Sequence, residues 1–122
     1  MNEIVVLVTA GSQDEAQRLS RLLVKEHLVA CVNIVPQVTS IFLWEEKISE
    51  ETECLLIMKT VVDAFPSLEA RVKAIHHYDV PEILALPVVK GSGDYVSWIR
   101  KCTQAEKPQH ARSVSATSED FS

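Results

Sequence analysis

Seven consecutive residues, His76-His77-Tyr78-Asp79-Val80-Pro81-Glu82, carry two imidazoles, a phenol and two carboxylates. Imidazole nitrogens beside carboxylate oxygens suit a borderline divalent ion such as copper or zinc. His76, His77 and Glu82 are therefore the candidate metal ligands. Adjacent histidines in an extended loop point in different directions, so a complete site calls for a neighbouring subunit. The structural alternative is a helix C-terminus with histidines facing the dipole, followed by a solvated acidic loop. No closed four-ligand set is visible, so any metal would be held weakly.

Other residues could also meet a ligand. Lys59 closes an apolar strand, where its ammonium either faces an anionic metabolite in a cleft or snorkels to solvent. Trp44 and Tyr78 are of the type that stacks on a ligand or anchors an interface. Asn33 lies among Val and Ile and needs hydrogen-bond partners if buried. Gly11-Ser12 opens a helix, where free N–H groups can hold an anion, but capping accounts for it equally. No Gly-x-Ser-x-Gly nucleophile elbow occurs, and no activated nucleophile or acid–base pair stands out. The chain is expected not to be an enzyme.

The elements that must position these residues follow from the apolar pattern. Ile4 to Val8 is an unbroken apolar run, as in a strand covered on both faces. Ser12 with Glu15 reads as a capping box, and Ala16, Leu19, Leu22 and Leu23 recur at helical spacing. That predicts a helix over 13–27. Two long arms follow: Ala30 to Trp44, interrupted by Pro36, and Ile48 to Lys59, joined by the polar tip Glu45-Glu46-Lys47. Cys54 to Met58 reads as a second central strand. A second helix starts near Asp63-Ala64-Phe65-Pro66 and ends near His76, with Phe65, Leu68, Val72 and Ile75 as its stripe. A fourth strand spans 82–89, with Pro87 marking an edge. Tyr95, Trp98, Ile99 and Cys102 form a third helix.

The order β-α-β-β-α-β plus a C-terminal helix is an α+β, ferredoxin-like sandwich. Right-handed crossovers put the first two helices on one face and the two apolar strands in the centre. Residues 1–103 make the domain. Residues 104–122 shift to Ser, Thr, Ala, Gln and charge and read as a disordered or loosely attached tail. RNA-binding members of this architecture need exposed aromatics on the central strands, where Val6, Leu7, Leu56 and Ile57 stand instead. Acyl-phosphate hydrolysis needs an arginine in the first turn, and Thr9-Ala10-Gly11-Ser12 has none.

The hairpin is too long for its domain. At about 3.3 Å per residue each arm reaches some 40–50 Å, while a domain of about 100 residues has a radius of gyration near 13 Å. The outer half must overhang, exposing Ile41, Phe42, Leu43 and Trp44. Another copy of the chain is expected to cover it, with Ile41, Phe42 and Trp44 at the interface of a symmetric homo-oligomer.

The 122 residues are 47% hydrophobic and 24% charged, enough for one core without staples. The net charge of −5 argues against binding a phosphate backbone, so no nucleic-acid partner is expected. No apolar run approaches the roughly 20 residues of a membrane span, and Met-Asn-Glu leads straight into a strand, so a cytoplasmic location is expected. Cys31, Cys54 and Cys102 form no Cys-x-x-Cys pair and read as small hydrophobes in a reducing compartment.

Several segments together resemble a known family. Leu28-Val29-Ala30-Cys31-Val32-Asn33-Ile34-Val35-Pro36, Val38-Thr39-Ser40-Ile41 leading to Trp44, Val80 to Val88, and Asp94-Tyr95 before Ser97-Trp98-Ile99 are similar to the CutA divalent-cation tolerance proteins. The similarity covers Ile4 to about Cys102. It implies a ferredoxin-like fold, a tight homotrimer, and a cytoplasmic role in tolerance of copper and other divalent metals. It also implies a trimer like the PII signalling proteins, with clefts between subunits for a small anionic metabolite. Some members hold copper with a cysteine of the first strand, a histidine ending the second helix and a following glutamate. Here Val8 matches the cysteine, Ile75 or His76 the histidine, and Glu82 the glutamate. The family's His-Pro-Tyr is His76-His77-Tyr78, with His77 in the proline's place.

Overall fold

The computed structural model describes residues 2–104. Its elements are β1 (Glu3–Ala10), α1 (Gln13–Lys25), β2 (Cys31–Trp44), β3 (Lys47–Val61), α2 (Phe65–Ile75), β4 (Ile83–Pro87) and α3 (Gly93–Gln104). One 3-10 turn, Val62–Ala64, leads into α2. The strands form one antiparallel sheet in the order β2-β3-β1-β4. This is the α+β, ferredoxin-like arrangement, and the two apolar strands lie at its centre.

Alternation along the central strands separates the faces. Val6, Val8, Leu56 and Met58 are fully buried and meet Leu19 and Leu23 of α1 and Leu68 and Val72 of α2 in one core. Apolar area removed from water stabilises by about 25 cal/mol per Å², so these side chains supply much of the fold's driving force. Glu3, one residue before Ile4, points to the opposite face, where its carboxylate accepts from Arg100 Nε of α3 at 2.8 Å. Thus α1 and α2 cover one face, while α3 lies across part of the other with Val96 and Ile99 buried.

Several boundaries differ from the sequence expectations. α1 stops at Lys25, because His27 takes a left-handed conformation (φ 61°) that ends the helix. β2 runs unbroken through Pro36. The chain absorbs the missing donor with a register shift between Val35 and Val38 and a left-handed Gln37 (φ 60°). The tip is a two-residue turn, Glu45-Glu46, both at positive φ, as a tight hairpin requires. β4 shortens to Ile83–Pro87, and Gln104 belongs to α3. The rest of the expected tail lies outside the described residues.

The inner half of β3, from Cys54 to Val61, pairs with β1 and buries Cys54, Leu56, Met58 and Thr60. Beyond Glu53 the hairpin pairs only with itself. There Ile41, Phe42, Leu43, Trp44 and Ile48 are exposed, Leu43 at 70% and Ile48 at 80%. Cross-strand partners share a face, so Leu43 and Ile48 lie side by side on one face. Phe42, Ser40 and Trp44 lie on the other, with Glu51 directly opposite Ser40.

Candidate functional site

The segment after α2 splits into two environments. The first is a closed polar node. His76 ends α2 with its ring buried, and its Nε2 lies 2.7 Å from the Thr9 carbonyl. A carbonyl only accepts, so Nε2 carries the proton. Nδ1 then accepts from the Tyr78 N–H at 3.0 Å. Both ring nitrogens are thereby used, and the tautomer follows from the partners.

Glu15 supports this node from α1. Ser12 Oγ caps the helix by accepting from the Glu15 N–H, as the capping pattern predicts. The Glu15 carboxylate, however, does not reach back to Ser12. Oε1 accepts from the Gly11 N–H at 3.2 Å, and Oε2 accepts from the His77 N–H at 2.8 Å and from His77 Nδ1 at 3.0 Å. Burial alone would raise the Glu15 pKa. The backbone donors of His77 and Gly11, with the two imidazoles beside it, outweigh burial and hold it below the ordinary value. Glu15 sits four residues before Leu19 on the apolar stripe. A carboxylate on that stripe was the available signal that it serves more than a cap.

The second environment is an open cleft of about 710 Å³. One wall is the overhanging ribbon, with Ser40, Phe42, Trp44, Glu51 and Glu53. The other is the loop from Tyr78 through Asp79 and Val80 to Glu82, and Thr9 closes the end. Tyr78 joins the walls: its hydroxyl donates to Glu53 Oε2 at 2.7 Å. Burial first, then the Glu53 carboxylate, pushes the phenol's pKa far up, so it remains a donor. A Cβ at position 11 would lie 3.2 Å from that hydroxyl, which explains why glycine suits the turn beneath it. Among the described residues, four carboxylates line the cleft, and no lysine or arginine does. Volumes of roughly 300–1,000 Å³ are those of small-ligand sites.

The expected site residues therefore separate. Trp44, Phe42, Ile41, Tyr78 and Glu82 come together at the cleft. His76 and His77 lie behind it in the node. His77 is bound through Nδ1 to Glu15 while the rest of its side chain is 73% exposed. Among the described residues, no three His, Cys, Asp or Glu side chains converge tightly enough to hold a metal ion, so His76, His77 and Glu82 do not form one ligand set. Val8, in the first-strand cysteine's place, is buried in the core. Lys59 stands apart, six residues along β3 from Glu53, about 20 Å at strand rise. Its ammonium donates to Asn33 Oδ1 and lies 3.9 Å from Cys31 Sγ. Asn33 is exposed, so its bond to the lysine is not one that burial demanded, and the lysine does not enter the cleft. Glu51 and Glu53 were not singled out from sequence, because only the fold sets the ribbon against the loop that carries Asp79 and Glu82.

This geometry can be set beside known proteins. The family model described as "CutA1 divalent ion tolerance protein" matches residues 4–102. The chain belongs to that family. The Divalent-cation tolerance protein CutA of Thermus thermophilus is 50% identical over 101 residues, covering 83% of this chain and 98% of that one. Its solved structure superimposes with a TM-score of 0.82 at the same coverage. The chloroplastic CutA protein of Arabidopsis thaliana is 43% identical over 83% of this chain, which spans 56% of that protein's length. The solved CutA of Archaeoglobus fulgidus, described as periplasmic, is 38% identical, with a TM-score of 0.80, covering 83% of this chain and 98% of that one. CutA relatives thus carry names from different compartments. In this CutA1 chain, no helix among the described residues is long and apolar enough to cross a membrane.

Proposed function

We propose that this chain is a non-enzymatic, cation-binding member of the divalent ion tolerance family, working as a homotrimer in the cytoplasm, with the ribbon–loop cleft as its binding site. The observation that carries the reading is the cleft's charge: Glu51, Glu53, Asp79 and Glu82 face a space that no basic side chain among the described residues lines. Oxygen ligands suit hard divalent cations, which commonly keep several waters. The carboxylates are spread along the cleft, so such an ion binds weakly and hydrated. For copper, His77 offers the accessible imidazole nitrogen and Glu82 a carboxylate of the cleft, as separate weak ligands, while His76 stays committed to the fold. The folded domain that carries the site runs through α3 to Gln104, one residue past the expected boundary.

Assembly rests on the exposed ribbon. Ile41, Leu43 and Ile48 present an apolar face that a neighbouring subunit would cover. Phe42 and Trp44 then stand where the interface meets the cleft.

Calorimetric titration of magnesium and of copper into the full chain tests the site. Weakened binding in Glu51→Gln/Glu82→Gln is expected for both ions, and His77→Ala should weaken copper alone. Unchanged binding in the double variant would remove the cleft from the account. Light scattering should give a mass three times the 13.6 kDa of one chain. A folded single subunit in dilute solution would end the trimeric part.

A further inference from the structure

The cleft is built for something larger than a single ion. A water-sized ion occupies on the order of 30 Å³, against about 710 Å³ here. No three of its acidic groups converge as a metal requires. They stand instead on two walls. Glu51 and Glu53 belong to the ribbon, and Asp79 and Glu82 to the loop. Phe42 and Trp44 line the same space, both on the ribbon face that carries Glu51. Anionic groups on two walls with aromatic rings beside them match a molecule with positive charges at its ends and methylenes in the middle. The rings attract the ammonium groups by cation–π contact and cover the methylenes. Glu53 is already engaged by Tyr78, which leaves Glu51 on one wall and Asp79 and Glu82 on the other to receive ammonium hydrogens.

We propose that the cleft binds a linear aliphatic polyammonium ion, with ammonium groups on the two acidic walls and the intervening chain against Phe42 and Trp44. This rests on the reading of the cleft as a cation site and names its ligand class.

The test uses spermidine and magnesium as probes in calorimetric titrations of the full chain at low ionic strength. Glu51→Gln/Glu82→Gln removes one charge from each wall. Both side chains are exposed, and circular dichroism checks that the variant folds. Glu46→Gln/Glu50→Gln removes the same charge from exposed ribbon positions outside the cleft. Spermidine should bind at least 10-fold more tightly than magnesium. Its affinity should fall at least 10-fold in the cleft variant and less than twofold in the control. Equal losses in both variants would mean diffuse charge attraction and overturn the proposal. So would spermidine binding that the cleft variant leaves intact. If magnesium binds through Glu51 and Glu82 while spermidine binds no tighter, the polyammonium assignment falls and the cation cleft stands. If neither binds, both fall.

Discussion

The node around Glu15 and the cleft beside Glu82 are built from one stretch of chain, yet they spend their polar groups in opposite ways. At the node, the Glu15 carboxylate and both nitrogens of His76 meet partners within the fold. At the cleft, Asp79 and Glu82 are exposed and face open space. Tyr78 is the hinge between them, giving its backbone N–H to His76 Nδ1 and its hydroxyl to Glu53 Oε2. The contrast teaches that titratable residues close in sequence do not share a role. The buried ones hold the loop, and the exposed ones face what the loop is held for.

Substitutions should separate the two regions. The largest effect is expected for Glu15→Ala, which removes the buried carboxylate and leaves the part-buried N–H groups of Gly11 and His77 without their acceptor, and should cost about 3 kcal/mol in chemical denaturation. A loss below about 1 kcal/mol would mean that the node is not a structural anchor. His76→Ala should cost about 2 kcal/mol by orphaning the Thr9 carbonyl and the Tyr78 N–H.

Acid should act through the node as well. The folded Glu15 pKa lies below its ordinary 4.5, so the folded state holds this proton more weakly than the unfolded chain does. The resulting stability is complete above about 4.5 and is lost as pH falls through the lower folded value. Glu15→Gln should therefore flatten the decline of stability below pH 4.5, and an unaltered slope would contradict the assignment. Tyr78→Phe, at the hinge, should cost about 1 kcal/mol and also loosen the cleft, seen as a small loss of cation affinity. Glu82→Gln, at the open end, should change stability by less than about 0.5 kcal/mol while weakening cation binding. If it destabilises as strongly as Glu15→Ala, the contrast between closed and open regions collapses.

Much of this architecture was legible because an unbroken apolar strand must be covered on both faces. Ile4–Val8 and Cys54–Met58 therefore had to be central, and the ferredoxin-like order followed. The overhang was legible from length alone. The site was harder. Two histidines before a glutamate look alike as ligands or as structural donors. The distinction lies in where their nitrogens point, which depends on Thr9, some 67 residues away in sequence. The cleft's ribbon wall lies beyond the register shift between Val35 and Val38, and no local pattern encodes which of its carboxylates face the loop.

Pro36 leaves one further mark. β2 forms an outer edge of the sheet and runs for 14 residues. An uninterrupted edge of that length is a template on which foreign strands can zip. The missing N–H of Pro36 and the left-handed Gln37 break the template midway. Replacing Pro36 with a strand-forming valine would restore a continuous adhesive rim on which further strands could add without limit.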